Sequence, residues 1–473
     1  MKVNASSREI VLCAFVRRPA SVPSVYQNRW RTIHTSSPKE QDVSLNSAST
    51  PPIPTLPEPL NGAERAVSTL SFLPLSQILR TYLITSISSS PTLLSASSSL
   101  LQRMLDSKGF LFSPERNPLL RVLLTQTFYK QFCAGSTAEE VARTCQELRS
   151  QGYSGVILEY ALEVLKDAEG NELEDVATWR KGMLDSVRYS AEGDFIGLKW
   201  SGMGAAAMKL LAKNAQPSKE MDEAMKAVCS AAAAKNISLL PAAEETWTLN
   251  GYHSWTLAMQ RIYNLNGKSV VYNTYQAYLK KTPEILAQHL ELAKKENFTL
   301  GLKVVRGAYL ATEERHFIHD TLEDTHNAYD GISSALIHRK HNETVKPIEG
   351  RENFPEVNVV LATHNMATVE KAKALRNQQF ARGESLTPLY FAQLQGMADE
   401  VSCNLIAAAK NADSNTVKEK VFKCTTWGTM TECLNYLLRR AAENKDAASR
   451  TAETRSAMQG EIWRRMKSSI GLA

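Results

Sequence analysis

From about residue 120 onward, short runs rich in β-branched and aromatic residues alternate with longer stretches that have helical periodicity. Runs of this length and composition fit buried strands. Strands that alternate with helices form a parallel sheet, because each helix returns the chain to the edge where the next strand begins. Eight units predict a (β/α)8 barrel of the α/β class. The runs, each with its first residue, are GVILEY (155), DFIGLK (194), ISLL (237), SVVYNTY (269), TLGLKVV (299), VNVVLAT (357), LYFAQL (389) and VFKCTTW (421).

Polar and charged residues concentrate where these runs end. The carboxyl ends of barrel strands meet at one rim, and that rim is where barrel enzymes place their active sites. Several basic groups that converge there indicate an anionic ligand. The residues at the predicted strand ends are Glu159, Glu163, Lys199, Glu244, Gln276, Lys303, Arg306, Thr363, His364, Asn365 and Gln393.

The segment NYLLRRAAEN, residues 435–444, predicts a helix with two different faces. At about 100° per residue, Tyr436, Arg439, Arg440 and Glu443 fall within one arc, and aliphatic residues cover the other side. Adjacent guanidinium groups suit bidentate binding of a carboxylate or a phosphate. The alternative is a solvated face on which Arg439 and Glu443 form an i,i+4 ion pair.

The stretch GMGAAA, residues 202–207, follows the second predicted strand and matches the pattern of a dinucleotide-binding turn. The acidic residue that such a site needs should follow after about 20 residues, whereas Glu244 comes about 40 residues later. An ordinary amphipathic helix start is favoured. We therefore predict that NAD does not bind here and that Gly204→Ala changes only local packing.

The stretch HFIHDTLEDTH, residues 316–326, has histidines and acids at helical spacing. Such spacing can bind a metal ion, but the H-E-x-x-H arrangement is absent, and a polar helix face is favoured. The seven cysteines are scattered and contain no C-x-x-C pair, so neither a disulfide framework nor a zinc site is indicated. We predict no metal site.

The formal net charge of +6 is confined to residues 1–39, which hold seven Lys or Arg and one acid. The neutral remainder gives no electrostatic footprint for nucleic acid. The leader is typical of a mitochondrial transit peptide. We expect residues 40–115 to form a linker and a helical arm, and residues 116–473 to form the barrel. Residues 81–102 carry no charge, but Pro91 and many serines argue against a membrane span, which leaves contact with a membrane surface open.

Five motifs in register at successive strand ends resemble the proline dehydrogenase (proline oxidase) family of mitochondrial flavoenzymes. They are TYQAYL (274), LKVVRGAYL (302), ATHN (362), LQGM (394) and YLLRRAAEN (436). The resemblance implies a distorted (β/α)8 barrel that holds FAD at its mouth. It also implies oxidation of L-proline to 1-pyrroline-5-carboxylate and transfer of electrons to ubiquinone, on the matrix side of the inner mitochondrial membrane.

The resemblance also assigns roles to individual residues. Lys199, Arg439 and Arg440 would clamp the proline carboxylate, with Tyr436 and Leu394 against the ring. Lys303 would lie near the reactive flavin nitrogen, and Glu163 would close over the site by pairing with Arg439. The remaining residues implied to hold FAD are Gln276, Arg306, Gly307, Ala308, Thr363 and His364.

Two positions depart from the family pattern. Ala242 stands where the family usually has an aspartate, for which Glu244 is a partial substitute, and Cys424 stands where a tyrosine is common. Relatives that oxidise 4-hydroxyproline also carry a small residue at the second position. A hydroxyproline dehydrogenase and a catalytically silent barrel that acts as a binding protein therefore stay open as alternatives.

Overall fold

The structure is a computed structural model that describes residues 68–107, 109–110, 112, 116–162, 170–350, 354–443 and 448–471. Within these ranges the side chains of residues 106, 349, 440–443 and 448–451 are not described. The predicted leader and Glu163 lie outside the described residues, as does the side chain of Arg440.

Eight parallel strands form a nearly closed barrel in the described chain, and the predicted fold class is confirmed. Each of the eight predicted runs overlaps a strand: β2 Gly155–Tyr160, β3 Phe195–Leu198, β4 Ser238–Pro241, β5 Tyr272–Gln276, β6 Leu300–Val305, β7 Val357–Ala362, β8 Leu389–Leu394 and β9 Lys420–Trp427. The strand order around the sheet is β4, β3, β2, β9, β8, β7, β6 and β5. The two end strands approach at Leu239, whose backbone N–H donates to the Val270 carbonyl oxygen at 2.6 Å.

Helices precede and follow these strands, as the alternating pattern predicts. Buried aliphatic side chains of the helices and of the outward faces of the strands form the main hydrophobic core around the barrel. The helices are α1 Leu75–Ser88, α2 Pro91–Asp106, α3 Pro118–Leu124, α4 Lys130–Phe132, α5 Ala138–Gln151, α6 Glu172–Tyr189, α7 Ala205–Ala212, α8 Lys219–Ala234, α9 Thr246–Tyr263, α10 Thr282–Glu296, α11 Leu322–His338, α12 Met366–Ala381, α13 Asp399–Lys410, α14 Met430–Glu443 and α15 Ala448–Ser469.

A ninth strand, β1 Cys133–Gly135, pairs with β9 and was not predicted. It has three residues, too few for an alternating pattern to stand out. A π-helical turn, Thr125–Tyr129, leads into it from α3. The Tyr129 hydroxyl donates to the Gly428 carbonyl oxygen at 2.9 Å, which fixes this segment beside the end of β9.

The helices α1 and α15 pack against each other and against the barrel wall. Arg465 of α15 donates to three carbonyl oxygens that precede α1, those of Leu70, Ser71 and Leu73. Gln77 of α1 donates to Asp399, a fully buried carboxylate. Among the described helices, none is both long enough and apolar enough to cross a bilayer.

The glycines of GMGAAA are explained by packing. A Cβ atom on Gly202 would lie 2.9 Å from the Trp179 ring, and Gly204 has φ +102° with Asp175 2.3 Å from the position of a Cβ. The helix that starts here, α7, is the predicted ordinary helix. The expectation that Gly204→Ala changes only packing is wrong, because alanine is strained at this φ and would collide with Asp175.

The histidines and acids of HFIHDTLEDTH do not share one helix face, and this part of the prediction is wrong. The helix α11 begins only at Leu322, because Thr321 and Asp324 form a capping box. His316 lies in a 3₁₀ turn before it, and Asp320 forms an ion pair with Lys280 at 3.0 Å. The described residues contain no group of three or more His, Cys, Asp or Glu side chains placed to hold a metal.

Candidate active site

The bottom of the barrel interior is filled by four aromatic rings. Phe195 packs edge to face against Tyr272, Tyr390 and Phe422, with ring centroids 5.0–5.5 Å apart. Offset and edge-to-face contacts of this kind are favourable, and the four rings pack together at this level of the interior. The carboxyl ends of the strands lie on the other side of these rings, and we call that end the mouth.

Ionisable side chains stand directly above this aromatic floor. Lys303 of β6 lies inside the barrel, where burial lowers the pKa of its amine. Cys424 and Glu159 oppose this pKa shift, and Lys199 adds to it, so all four groups lie near one another. Burial and the Glu159 carboxylate raise the pKa of the Cys424 thiol, which is therefore protonated at neutral pH. We call Glu159, Lys199, Lys303, Cys424 and Tyr436 the mouth cluster.

Glu159 joins β2 to α14 across the mouth. The Tyr436 hydroxyl donates to Glu159 Oε2 at 3.2 Å, and the Cys424 Sγ lies 4.0 Å from the same oxygen. Lys199 follows β3 directly, and its ammonium donates to the Tyr309 hydroxyl at 3.3 Å. That hydroxyl in turn donates to the Ala243 carbonyl oxygen at 2.9 Å, so Tyr309 fixes the position of the lysine.

The helix α14 is covered on two sides. Leu434 packs against Leu120 and Leu124 of α3, while Tyr436 packs with Tyr129 and Cys433 toward the barrel. Tyr436 is 8% exposed, and Arg439 is half-buried. The predicted helix is present as α14, and its Tyr436 is not solvated. The side chains of Arg440 and Glu443 lie outside the described residues, so the carboxylate clamp and the alternative Arg439–Glu443 ion pair both stay predictions.

Arg306 lies at the rim in a network of three donor contacts. Its Nη1 donates to Thr363 Oγ1 at 2.6 Å and its Nη2 to Thr368 Oγ1 at 2.8 Å. Its Nε donates to His326 Nδ1 at 3.0 Å. The guanidinium also lies 4.5 Å from the centre of the Tyr329 ring. His326, for which the sequence analysis favoured a polar helix face over a metal site, is therefore a partner of Arg306.

Residues 306–308 are held in place by β5 and its neighbours. The Ala308 N–H donates to Gln276 Oε1 at 3.1 Å, and Gln276 Nε2 donates to the Glu244 carbonyl oxygen at 2.8 Å. A Cβ atom on Gly307 would lie 2.4 Å from the Tyr278 ring, so glycine is required by this close approach. These contacts account for the glycine at position 307 and hold the Ala308 backbone in place.

Two further predicted residues lie next to each other at the ends of β7 and β8. The Leu394 N–H donates to His364 Nε2 at 3.1 Å, so this ring nitrogen is the acceptor in the contact. Leu394 is 37% exposed and presents an apolar surface at the mouth. Glu244, the expected substitute beside Ala242, accepts from Ser201 Oγ at 2.6 Å.

The structure thus brings Lys199, Lys303, Tyr436 and Leu394 to the mouth, and Arg306 with its partners to the adjoining rim. Arg439 is half-buried on α14, three residues after Tyr436. Sequence reasoning did not single out Tyr309, Tyr329 or Thr368. Tyr309 lies within the LKVVRGAYL motif, which was the one available signal. Its contact with Lys199 joins residues 110 positions apart, and local spacing cannot predict such a contact.

Comparisons with known proteins agree on one family. The family profile described as proline dehydrogenase matches residues 141–453. A protein of Schizosaccharomyces pombe, "Probable proline dehydrogenase, mitochondrial", is 28% identical over 412 residues, which cover 74% of this chain and 81% of that protein. The Arabidopsis thaliana protein "Proline dehydrogenase 1, mitochondrial" is 26% identical over 74% of this chain and 76% of its own length. The human protein of the same name is 31% identical over 52% of this chain and 39% of its own length.

Solved structures show the same fold. Proline utilization A from Bdellovibrio bacteriovorus superposes with a TM-score of 0.58 at 13% identity, covering 81% of this chain and 40% of that one. A bifunctional proline utilization A protein superposes with a TM-score of 0.54 at 16% identity, covering 84% of this chain and 45% of that one. This chain therefore spans less than half the length of these two proteins.

Proposed function

The chain belongs to the proline dehydrogenase family, and on this premise we propose that it is a mitochondrial enzyme that oxidises L-proline to 1-pyrroline-5-carboxylate with FAD as the hydride acceptor. The observation that supports the proposal best is the mouth cluster. Two lysines, a glutamate, a thiol and a buried tyrosine stand above the aromatic rings, and Arg439, on the same helix as the tyrosine, is half-buried. Such a site suits a small ring compound with a carboxylate better than a polymer or a flat nucleotide.

The carboxylate of proline would bind to Lys199, Arg439 and Arg440. Tyr436 and Leu394 would contact the ring and hold its reactive carbon toward the flavin. In hydride transfer the protein mainly supplies orientation, so a charged clamp combined with an apolar wall is the arrangement that the chemistry needs. Glu163 would close the site by pairing with Arg439, as the family resemblance implies.

FAD fits the donor set at the rim. Arg306, flanked by the hydroxyls of Thr363 and Thr368, suits a pyrophosphate, and it is already oriented by its neighbours. Gln276, Gly307, Ala308 and His364 would contact the rest of the cofactor. When bound, FAD supplies the acceptor for a hydride and its two electrons. Lys303 would place a positive charge beside that acceptor, where negative charge develops.

Ubiquinone would receive the electrons at the inner membrane, on the matrix side. Support comes from an exposed apolar surface on α3, at Leu119, Val122 and Leu123. Because Leu120 and Leu124 pack against α14, this surface lies over the helix that bears Arg439. A peripheral contact there would bring the active site close to a quinone dissolved in the bilayer.

A hydroxyproline dehydrogenase is the second candidate, and Cys424 is the observation that favours it. A thiol on β9, in place of the tyrosine common in the family, leaves room beside the substrate ring for an added hydroxyl. Steady-state kinetics on L-proline and on 4-hydroxyproline separate the two candidates. A higher kcat/KM on 4-hydroxyproline would reverse the assignment of substrate.

The direct test is the visible spectrum of the purified protein without oxygen, before and after L-proline is added. We expect bound flavin whose oxidised absorbance disappears on addition of proline. Protein that binds flavin but shows no such loss with either substrate would support the silent barrel instead. Arg306→Ala should lower the flavin content per protein, whereas Arg382→Ala, an exposed arginine paired with Glu384, should not.

A further inference from the structure

The proposed substrate carries two charges, and the clamp accounts for only one. Proline at neutral pH is a zwitterion, with a carboxylate and a secondary ammonium. The ammonium must lose a proton before the nitrogen lone pair can form the new C=N bond. A group at the mouth that binds this cation and takes its proton would complete the site, so the following inference rests on the proposed function.

Glu159 is placed where such a group is needed. It stands at the end of β2, and it is paired in the sheet with Gly197 of β3. A Cβ atom on Gly197 would lie 3.2 Å from the Glu159 Cβ, so a glycine at this position leaves the carboxylate room. The side chain is half-buried and is therefore reachable from the mouth.

The neighbours of Glu159 are the residues expected beside the substrate ring. Its Oε2 accepts from the Tyr436 hydroxyl at 3.2 Å and lies 4.0 Å from the Cys424 Sγ. The charged group that faces it across the lumen is Lys303, and Lys199 lies beyond, close enough to lower the pKa of Lys303. In the proposed function, Lys199, Arg439 and Arg440 bind the substrate carboxylate, and Lys303 lies beside the flavin. The negative charge of Glu159 among these basic groups then matches the positive charge of the substrate ammonium.

We propose that Glu159 binds the secondary ammonium of the substrate and accepts its proton. One N–H bond breaks and an O–H bond forms on Glu159. The C–H bond on the carbon next to nitrogen then breaks, and its hydride, with both electrons, goes to the flavin acceptor. The nitrogen lone pair becomes the second bond of a protonated C=N group. Charge and atoms balance, since the substrate loses one proton to Glu159 and one hydride to the cofactor.

The competing base is Lys303, whose lowered pKa favours a neutral amine. A second competing role is purely structural, in which Glu159 only orients Tyr436. Variants of Glu159 and Tyr436 separate these roles. Only if Glu159 accepts the proton should the fall of kcat/KM at low pH depend on this residue.

The experiment is the pH dependence of kcat/KM for L-proline in wild type, Glu159→Gln and Tyr436→Phe. In wild type, kcat/KM should fall at low pH as Glu159 becomes protonated. In Glu159→Gln we expect a loss of about 10²- to 10⁴-fold near neutral pH. Its kcat/KM should then keep rising with pH, because only the free amine form of proline reacts. Tyr436→Phe, which removes the hydrogen bond but keeps the carboxylate, should be slower yet keep the wild-type acid limb.

A binding measurement adds a readout that does not depend on turnover. Calorimetry should show that Glu159→Gln weakens binding of proline but not of a five-membered ring carboxylate with oxygen in place of the amine. If Glu159→Gln does not fold, Glu159→Asp should retain the acid limb with a rate at least about tenfold lower. A wild type inactive on both proline and hydroxyproline would overturn the proposed function. An active wild type together with an unchanged acid limb in Glu159→Gln, or a wild-type rate in Glu159→Asp, would overturn only the role of Glu159.

Discussion

Tyr436 illustrates how a single residue acquires its role from two helices and a strand. Its ring is buried because α3 covers one side of α14 and the barrel covers the other, and its hydroxyl is fixed by Glu159. Helical spacing predicted that Tyr436 and Arg439 share a face, which is a local property. The contacts of Lys199 with Tyr309 and of Arg306 with Thr368 join separate strand ends, and no local pattern in the sequence contains them.

Replacing Arg439 with Met tests the carboxylate clamp. The substitution keeps much of the aliphatic stem but removes charge-assisted hydrogen bonds worth about 1.5–3 kcal/mol, so kcat/KM should fall roughly 10- to 150-fold. The melting temperature should change little. Arg261→Met is the matched control, because Arg261 pairs with Glu296 on the outer surface. A near-normal kcat/KM in Arg439→Met, or an equal loss in the control, would contradict the clamp.

We expect Lys303 to lower the free energy of unfolding while it supports turnover. Its folded-state pKa lies below the ordinary 10.5, so the unfolded chain binds more protons between these two values, and the free energy of unfolding rises with pH in that window. Lys303→Met should therefore be more stable than wild type at neutral pH, with a difference that shrinks toward pH 10.5. Flavin reduction by proline should slow by about 10²-fold. Denaturant unfolding at several pH values measures the difference in stability, and stopped-flow kinetics measures the rate of flavin reduction. A Lys303→Met variant that is less stable than wild type at neutral pH would contradict the destabilisation assigned to burial of the lysine.

At the scale of elements, the strands were predictable and some boundaries were not. Strands such as Phe195–Leu198 are buried along their whole length, so their composition is continuously apolar and stands out from the helices. The start of α11 was misjudged because histidine spacing was given more weight than the capping box of Thr321 and Asp324, which was visible in the sequence. The three-residue β1 depends on pairing with β9, a tertiary contact that its own residues do not encode.

The contact between α9, β5 and α10 should make the fold sensitive to acid. His253 and His289 pack ring to ring, and burial lowers the pKa of His253 to about 4 and of His289 to about 3. The unfolded chain takes up these protons near pH 6.5, so between that pH and 4 it binds more protons and the free energy of unfolding falls as pH falls. We expect a loss of up to about 3 kcal/mol from His253.

Denaturant unfolding between pH 7 and pH 4 measures this loss. His253→Gln should flatten the dependence on pH, because glutamine does not titrate in this range. His316→Gln, at an exposed histidine, is the control and should leave the slope unchanged. The same slope in all three proteins would show that this element contact is not the source of the acid sensitivity.

At the scale of the whole molecule, the barrel is joined to helices from both ends of the described chain, because α1 and α15 pack together on its outer wall. The charge distribution adds a prediction about the leader. Because the formal charge of +6 is confined to residues 1–39, we expect import into mitochondria and a mature chain that begins near residues 36–45. N-terminal sequencing of protein purified from the organelle checks this, and an intact Met1 on that protein would contradict it.

The exposed apolar surface of α3 should bind an anionic bilayer. Leu119 and Leu123 are 81% and 59% exposed, and Arg121 lies between them on the helix, where its positive charge suits acidic lipid headgroups. Replacing both leucines with serine should remove about 2 kcal/mol of membrane binding, roughly a 30-fold weaker partition into vesicles of acidic phospholipids measured by co-sedimentation. Folding should be unaffected, since neither side chain is buried. Leu173 and Leu322 are similarly exposed on the barrel helices α6 and α11, so the double serine variant there should bind as wild type does.

If α3 is the contact, the double serine variant at Leu119 and Leu123 should also reduce a membrane quinone more slowly, while its reaction with a soluble electron acceptor stays normal. Equal losses in both double variants would show that the apolar surface is not a specific membrane contact.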